Sequence, residues 1–259
     1  MKRIRCLYIL CFICVCWSCE ELIQVDLNEA HPRYVIEAQI TDLAPQQQIR
    51  VSQSVAFHSS ESSLPIENAT VFIVDDRGRS YNFVHTEKGL YMHPNLTPVS
   101  GRNYRLQVMV DNEVFSSEHI MPEYVEVDSL GILEEKILND YYYFATLKFT
   151  DPAEQENYYK YDISVNGSPF KFASVFSDKF NDGLYVTHQI ADLDSDLQIG
   201  DSVVVRRYTI DKSVFSYWNE FQTTNPGSAA PSNPTSNISN HALGYFAVTP
   251  AKEYKLVIQ

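Results

Sequence analysis

An all-β fold is what this 259-residue sequence predicts, on three observations. Seven short β-rich runs separated by turn residues fill residues 34–120, an Asn166–Gly167 pair sits between two further β-rich runs, and helical spacing of apolar residues is convincing only over 211–222. Strands at such short intervals predict an immunoglobulin-like sandwich over 34–122, without the Cys–Trp–Cys core of antibody domains. A second antiparallel β domain with one helix is expected over 123–259.

Residues 1–18 read as an export signal. Lys2, Arg3 and Arg5 precede a run from Cys6 to Ser18 that carries no charge, the arrangement of an n-region and an h-region. A membrane-spanning helix needs about 20 apolar residues, and this run stops at Cys19 and the acidic pair Glu20–Glu21. A small residue followed by cysteine is what bacterial lipoprotein processing requires, and Ser18–Cys19 fits it. Cys16 and Trp17 make the box a relaxed one, of the kind seen in Bacteroidota lipoproteins; the alternative is a plain signal peptide with an incidental cysteine. All five cysteines lie within the first nineteen residues, so cleavage before Cys19 leaves one thiol and no disulfide in the mature chain. Lipidation at Cys19 with thioether- and amide-linked chains would hold the protein firmly to a membrane, at about 0.8 kcal/mol per buried CH₂.

Removal of this leader takes three of the 20 basic residues and none of the 33 acidic ones, leaving a net charge of −16. Such a field disfavours nucleic acid and anionic membrane surfaces. Residues 19–33, with no sustained period and a closing Pro32, read as a tether whose extended reach is roughly 45 Å.

The sandwich strands follow as "YVIEAQIT" (34–41), "QIRVSQSV" (48–55, with Ile49, Val51 and Val55 on one parity), "ATVFIVDD" (69–76), "SYNFVH" (80–85), "GLYMH" (89–93), "NYRLQVMV" (103–110) and "EVFSSEHI" (113–120). "DDRG" (75–78) and Asp111–Asn112 supply turns. Pro122 precedes a change to a Tyr- and Phe-rich second half. There, Asn166–Gly167 is the preferred two-residue type I′ turn; it pairs Ile163 with Phe170 and Tyr161 with Phe172, and Pro169 assigns the return strand to a sheet edge. "DSVVVRRYTI" (201–210) is a further strand. Asp211 caps the helix 211–222, whose Val214, Phe215, Trp218 and Phe221 share a face. Residues 225–241, with three Pro and several Asn and Ser, form a loop, and "ALGYFAVT" (242–249) and "EYKLVIQ" (253–259) are expected to pair with each other.

Motifs that carry chemistry are sparse. Asp192, Asp194 and Asp196 have the alternate spacing of an EF-hand start, but Leu197 stands at the glycine position and Val203 at the glutamate position, so an acidic turn is expected and no metal site. The seven histidines are scattered, no G-x-S-x-G or phosphate-cradling loop is present, and the reading is a non-enzyme without a cofactor. "YYYF" (141–144), "YYKY" (158–161) and Tyr217–Trp218 offer either sandwich packing or a stacking platform for a glycan or peptide. "DSL" (128–130) resembles the Asp–Ser–aliphatic O-glycosylation sequon of Bacteroidota and makes Ser129 a candidate.

Several stretches together resemble one family: "CEE" (19–21), "YVIEAQITD" (34–42), "IENATVFIVDDRG" (66–78), "GRNYRLQVMV" (101–110), "FTDPAEQENYYKYDI" (149–163), "FSDKFNDG" (176–183) and above all "PSNPTSNISNHALGYFAV" (231–248). They look like the outer-membrane lipoproteins grouped as domain of unknown function 4249. That resemblance implies no activity. It implies a setting at the outer membrane, beside a TonB-dependent receptor that imports a nutrient, and Glu20 and Glu21 after the lipidated cysteine resemble a surface-export signal. Two functions stay open, an accessory of such a receptor and an autonomous glycan- or peptide-binding lipoprotein. For the accessory, the loop 225–241 is the expected contact, with Asn233, Asn237 and Asn240 as its hydrogen-bonding groups and a rigid connector as the competing reading.

Overall fold

A computed structural model describes residues 32–55, 63–224 and 233–259. Cys19, Glu20 and Glu21, the leader and most of the tether lie outside the described residues. The chain is all-β with one helix among the described residues.

The first lobe forms where the alternating runs lie. Strands β1 (Tyr34–Thr41), β2 (Gln47–Gln53), β6 (Leu90–His93) and β5 (Ser80–Glu87) pair in that order, and β4 (Thr70–Asp75), β7 (Asn103–Val110) and β8 (Glu113–Ile120) continue the sheet. Lettered in chain order from A to G, these are the A-B-E-D and C-F-G halves of an immunoglobulin-like sandwich. The two-residue β3 (Leu64–Pro65) adds to β2. β5 joins the halves because its first residues pair with β4 and its last with β6. Period-2 burial follows: in β7 Tyr104, Leu106, Val108 and Val110 are buried, facing a core shared with Ile36, Ile49, Val71 and Phe115.

The turn after β4 is built around Asp75. Its carboxylate accepts from the Arg77 and Arg79 amides, from Arg79 Nε and from the Tyr81 hydroxyl, and it pairs with Arg102 at 2.9 Å. Burial opposes ionisation, yet these donors together pull the Asp75 carboxyl well below the usual carboxylate range.

The second lobe packs the sheet β13 (Tyr185–Ile190), β10 (Asp140–Thr150), β9 (Ser129–Ile137) against the sheet β12 (Lys171–Ser177), β11 (Tyr158–Val165), β14 (Ser202–Ile210), β16 (Ala251–Val257). Its core holds Leu147, Phe149, Tyr159, Tyr161, Ile163, Val203 and Val205. The β11–β12 turn has Asn166 at φ 54° and Gly167 at φ 78°, as type I′ requires. The register differs from the sequence expectation: Ile163 faces Lys171 rather than Phe170, and Asp162, not Tyr161, faces Phe172. Pro169 has no N–H for the ladder, so the pairing resumes one residue late, and a bulge beyond Asp162 shifts it by one residue more, setting Tyr161 opposite Ser174. β12 lies at the sheet edge.

The helix α1 (Lys212–Thr224) starts at its cap, where Asp211 Oδ1 accepts from the Val214 amide at 2.8 Å. Asp211 Oδ2 lies 3.0 Å from His119 Nδ1, which ties this cap to β8 of the first lobe.

The expected pairing of the last two strands with each other does not occur. β15 (Leu243–Thr249) runs parallel to β1, from Val35↔Leu243 to Thr41↔Thr249, whereas β16 pairs antiparallel with β14. One residue, Pro250, separates them, too few for a reversal, so the chain passes from the first sheet to the second without turning back. β15 is therefore buried on both faces. Phe246 and Val248 enter the first core, while Tyr245 and Ala247 enter a third cluster with Tyr158, Tyr208, Val214 and Ala251 beneath α1.

Candidate functional site

A polar cleft forms where the outer face of the second lobe meets β1 and β2. It encloses about 480 Å³ and is lined by Glu37, Gln39 and Arg50 from the first lobe and by Phe170, Arg206 and Tyr208 from the second. β-strand alternation places these groups: Ile36, Ala38 and Ile49 point into the core, so Glu37, Gln39 and Arg50 point out. Arg206 lies with its guanidinium 3.7 Å from the Phe170 ring centroid and donates to Glu253 at 2.7 Å. Tyr245, from β15, donates to Gln39 Oε1 at 2.9 Å and closes the floor between the lobes.

Beneath this cleft lies a buried ion pair. Lys160 is 2% exposed; its ammonium bonds to Asp162 and sits 4.6 Å from the ring centroids of both Tyr208 and Trp218. Tyr208 donates to Asp162 Oδ2 at 2.7 Å. Burial pulls the Lys160 ammonium down and Asp162 opposes the fall. The aromatic faces and the carboxylate together replace the water this ammonium has lost. The Lys160 ammonium is enclosed in this way, while Asp162 reaches the lining of the cleft. The Tyr245 hydroxyl is pushed well above its usual value, by burial first and then by Asp162, and stays a neutral donor.

The residues singled out in the sequence fall in different places. Asn237 is occupied internally: its amide accepts from the Phe246 N–H at 2.9 Å, donates to the Phe246 carbonyl at 2.7 Å and reaches Ser213 Oγ at 3.1 Å. Asn240, at φ 54°, donates to the Val114 carbonyl. Asn233 is exposed, and the stretch 225–232 before it lies outside the described residues. Ser129 is exposed at the start of β9. Tyr158, Tyr159 and Tyr161 are core residues, and Trp218 stacks on Phe172 at 4.8 Å. Tyr141 is exposed over half its surface.

Of the acidic turn, Asp192 and Asp194 are both held by Lys171, at 2.6 and 2.8 Å. A different cluster, Asp151, Asp178 and Asp182, brings one carboxylate oxygen from each within 4.8 Å of the others. Neither the cleft nor this cluster is visible as a motif, because each draws on strands or loops that are distant in sequence. No helix among the described residues is long and apolar enough to cross a membrane.

The family model described as domain of unknown function (DUF4249) matches residues 20–255. Among curated proteins, none matches the chain. Of solved structures, a two-domain fibronectin type-III segment of chicken tenascin is 12% identical, with a TM-score of 0.23, over 69% of this chain and 90% of that one.

Proposed function

We propose that this chain, which belongs to the DUF4249 family, is a non-catalytic lipoprotein anchored through Cys19 on the outer face of the outer membrane, where it serves as an accessory of a TonB-dependent nutrient receptor. The observation that carries the docking part of this reading is the β9–β10 hairpin. Residues 140–144 of β10 extend past its last pairing with β13, at Ala145↔Ile190. At the hairpin end Leu138 is 90% exposed, with Ile137 and Tyr141 about half exposed beside it. Leu138 also has φ 58°, a conformation in which Asn or Gly is favoured and a branched apolar side chain is not. An apolar residue kept in a strained turn and in water serves neither folding nor solubility, and a covering partner accounts for both costs.

The tether supports the same reading. A reach of roughly 45 Å from Cys19 keeps the folded body near the membrane and raises its effective concentration toward any membrane-bound partner. Purification of the native lipoprotein from detergent-solubilised outer membranes should recover one TonB-dependent receptor. L138N with Y141S should lose that receptor while keeping the wild-type Tm, since Asn suits the left-handed turn. Equal recovery by the variant would remove the hairpin as the docking surface. If the unaltered protein recovers no receptor, the accessory reading itself fails.

A second reading, an autonomous glycan- or peptide-binding lipoprotein, is favoured by the cleft, where Phe170 backs the Arg206 guanidinium beside exposed glutamines. F170A would weaken glycan or peptide binding by the purified protein if that reading holds, and would leave receptor recovery unchanged.

A further inference from the structure

We propose that Asp151, Asp178 and Asp182 form a binding site for a divalent cation of calcium's class. Asp151 follows β10, Asp178 follows β12, and Asp182 lies in the turn that leads to β13. Backbone bonds lace the two loops together: Asp151 N–H donates to Leu184 O at 2.9 Å and Asp178 N–H to Asn157 O at 3.1 Å. Side chains complete the frame, as Asp178 Oδ2 accepts from the Asn157 amide at 2.6 Å and Asp182 Oδ1 from the Glu154 amide at 2.9 Å.

Within that frame three carboxylates converge, and among the described residues no Lys or Arg forms an ion pair with any of them. The nearby Lys179 ammonium instead lies 5.3 Å from the Phe180 ring centroid. A separate observation concerns Asp151 alone. It is 2% exposed; its Oδ1 accepts from the Tyr159 hydroxyl, and its buried Oδ2 has no hydrogen-bond donor. A buried carboxylate with one oxygen lacking a donor, clustered with two more carboxylates, is a setting that a bound cation would stabilise.

The ligand chemistry selects the cation. Three carboxylates with no imidazole or thiolate suit a hard ion rather than zinc or copper. Two oxygens on one calcium ion stand up to about 5 Å apart, given bonds of about 2.3–2.6 Å, whereas magnesium spans only about 4.2 Å. The three oxygens, all within 4.8 Å of one another, lie inside the span of a calcium ion, with water completing its shell. Bound there, the ion offsets two of the three carboxylate charges and fastens residues 151–157 to 178–184.

The test uses the full-length protein in detergent. Its Tm in 5 mM calcium chloride should exceed that in EDTA at matched ionic strength by about 3 °C, and terbium luminescence excited through the neighbouring tyrosines should be competed away by calcium. D182N should lose both responses and still fold, because Asp182 is exposed and an Asn oxygen can keep the Glu154 amide bond. D194N, in the cluster held by Lys171, should keep both. No calcium-dependent rise and no terbium signal in the unaltered protein, a response retained by D182N, or one abolished by D194N overturns the site. An equal rise with magnesium chloride overturns the calcium assignment.

Discussion

His188 shows how much one side chain can set in the second lobe. It is 5% exposed and surrounded by the rings of Phe149, Tyr159, Tyr161 and Phe176, and its Nδ1 lies 2.8 Å from the Tyr161 hydroxyl. Burial, with the charge of Arg207 adding to it, pulls the imidazole down to about 3. The folded protein therefore keeps this ring neutral at a pH where the unfolded chain has already taken up a proton. The stability it contributes is complete above the unfolded value, near pH 6.5, and falls as pH drops toward about 3. Urea unfolding at pH 7 and pH 4.5 should differ by less in H188Q than in the unaltered protein, by about 2 kcal/mol. Equal differences in the two proteins would show that His188 does not govern this limb. Asp75 acts at lower pH: its depressed carboxyl contributes stability above the ordinary carboxylate range and loses it as pH falls through that range and below.

Among the elements, β15 depends on a backbone approach that only glycine permits. Gly244 has φ 88°, and a Cβ there would stand 2.1 Å from the Ile36 carbonyl oxygen, in the strand to which β15 pairs. G244A should cost on the order of 3 kcal/mol, read as a lower urea midpoint with an unchanged slope, since both the positive φ and the clash oppose any side chain. A near-neutral G244A would mean that the parallel pairing with β1 adds little. Asn237 supports the same element by mimicking a neighbouring strand, both accepting from and donating to the backbone of Phe246. The sequence offers this amide as a group for a partner, and in the fold it is engaged on both sides by its own chain.

Across the whole molecule, the two lobes share material. Phe246 and Val248 on one face of β15 belong to the sandwich core, and Tyr245 and Ala247 on the other belong to the cluster beneath α1. The cap of α1 also touches β8 through His119. Removing either core exposes one face of β15, so the lobes should lose structure together. Differential scanning calorimetry of the full-length protein should show one transition, with the van't Hoff enthalpy equal to the calorimetric enthalpy. Two resolved transitions would show that the shared strand does not couple the cores.

Features whose physics is local were legible in the sequence alone. Alternation in "NYRLQVMV" marked β7, Asn166–Gly167 marked the turn between β11 and β12, and Asp211 before an apolar stripe marked the start of α1, because each depends on residues within one turn or one strand. The apolar content of "LGYFAVT" marked a strand but not its partner, since burial on both faces erases the alternation that assigns a side. Its pairing with β1, some two hundred residues away, was decided by tertiary structure, as was the one-residue slip caused by Pro169. The acidic residues divide in the same way: Asp192 and Asp194 belong to a turn legible as acidic in the sequence, but their neutralisation by Lys171 of β12 is not. Asp151, Asp178 and Asp182 carry no motif spacing, and only the lacing of two loops brings their like charges together.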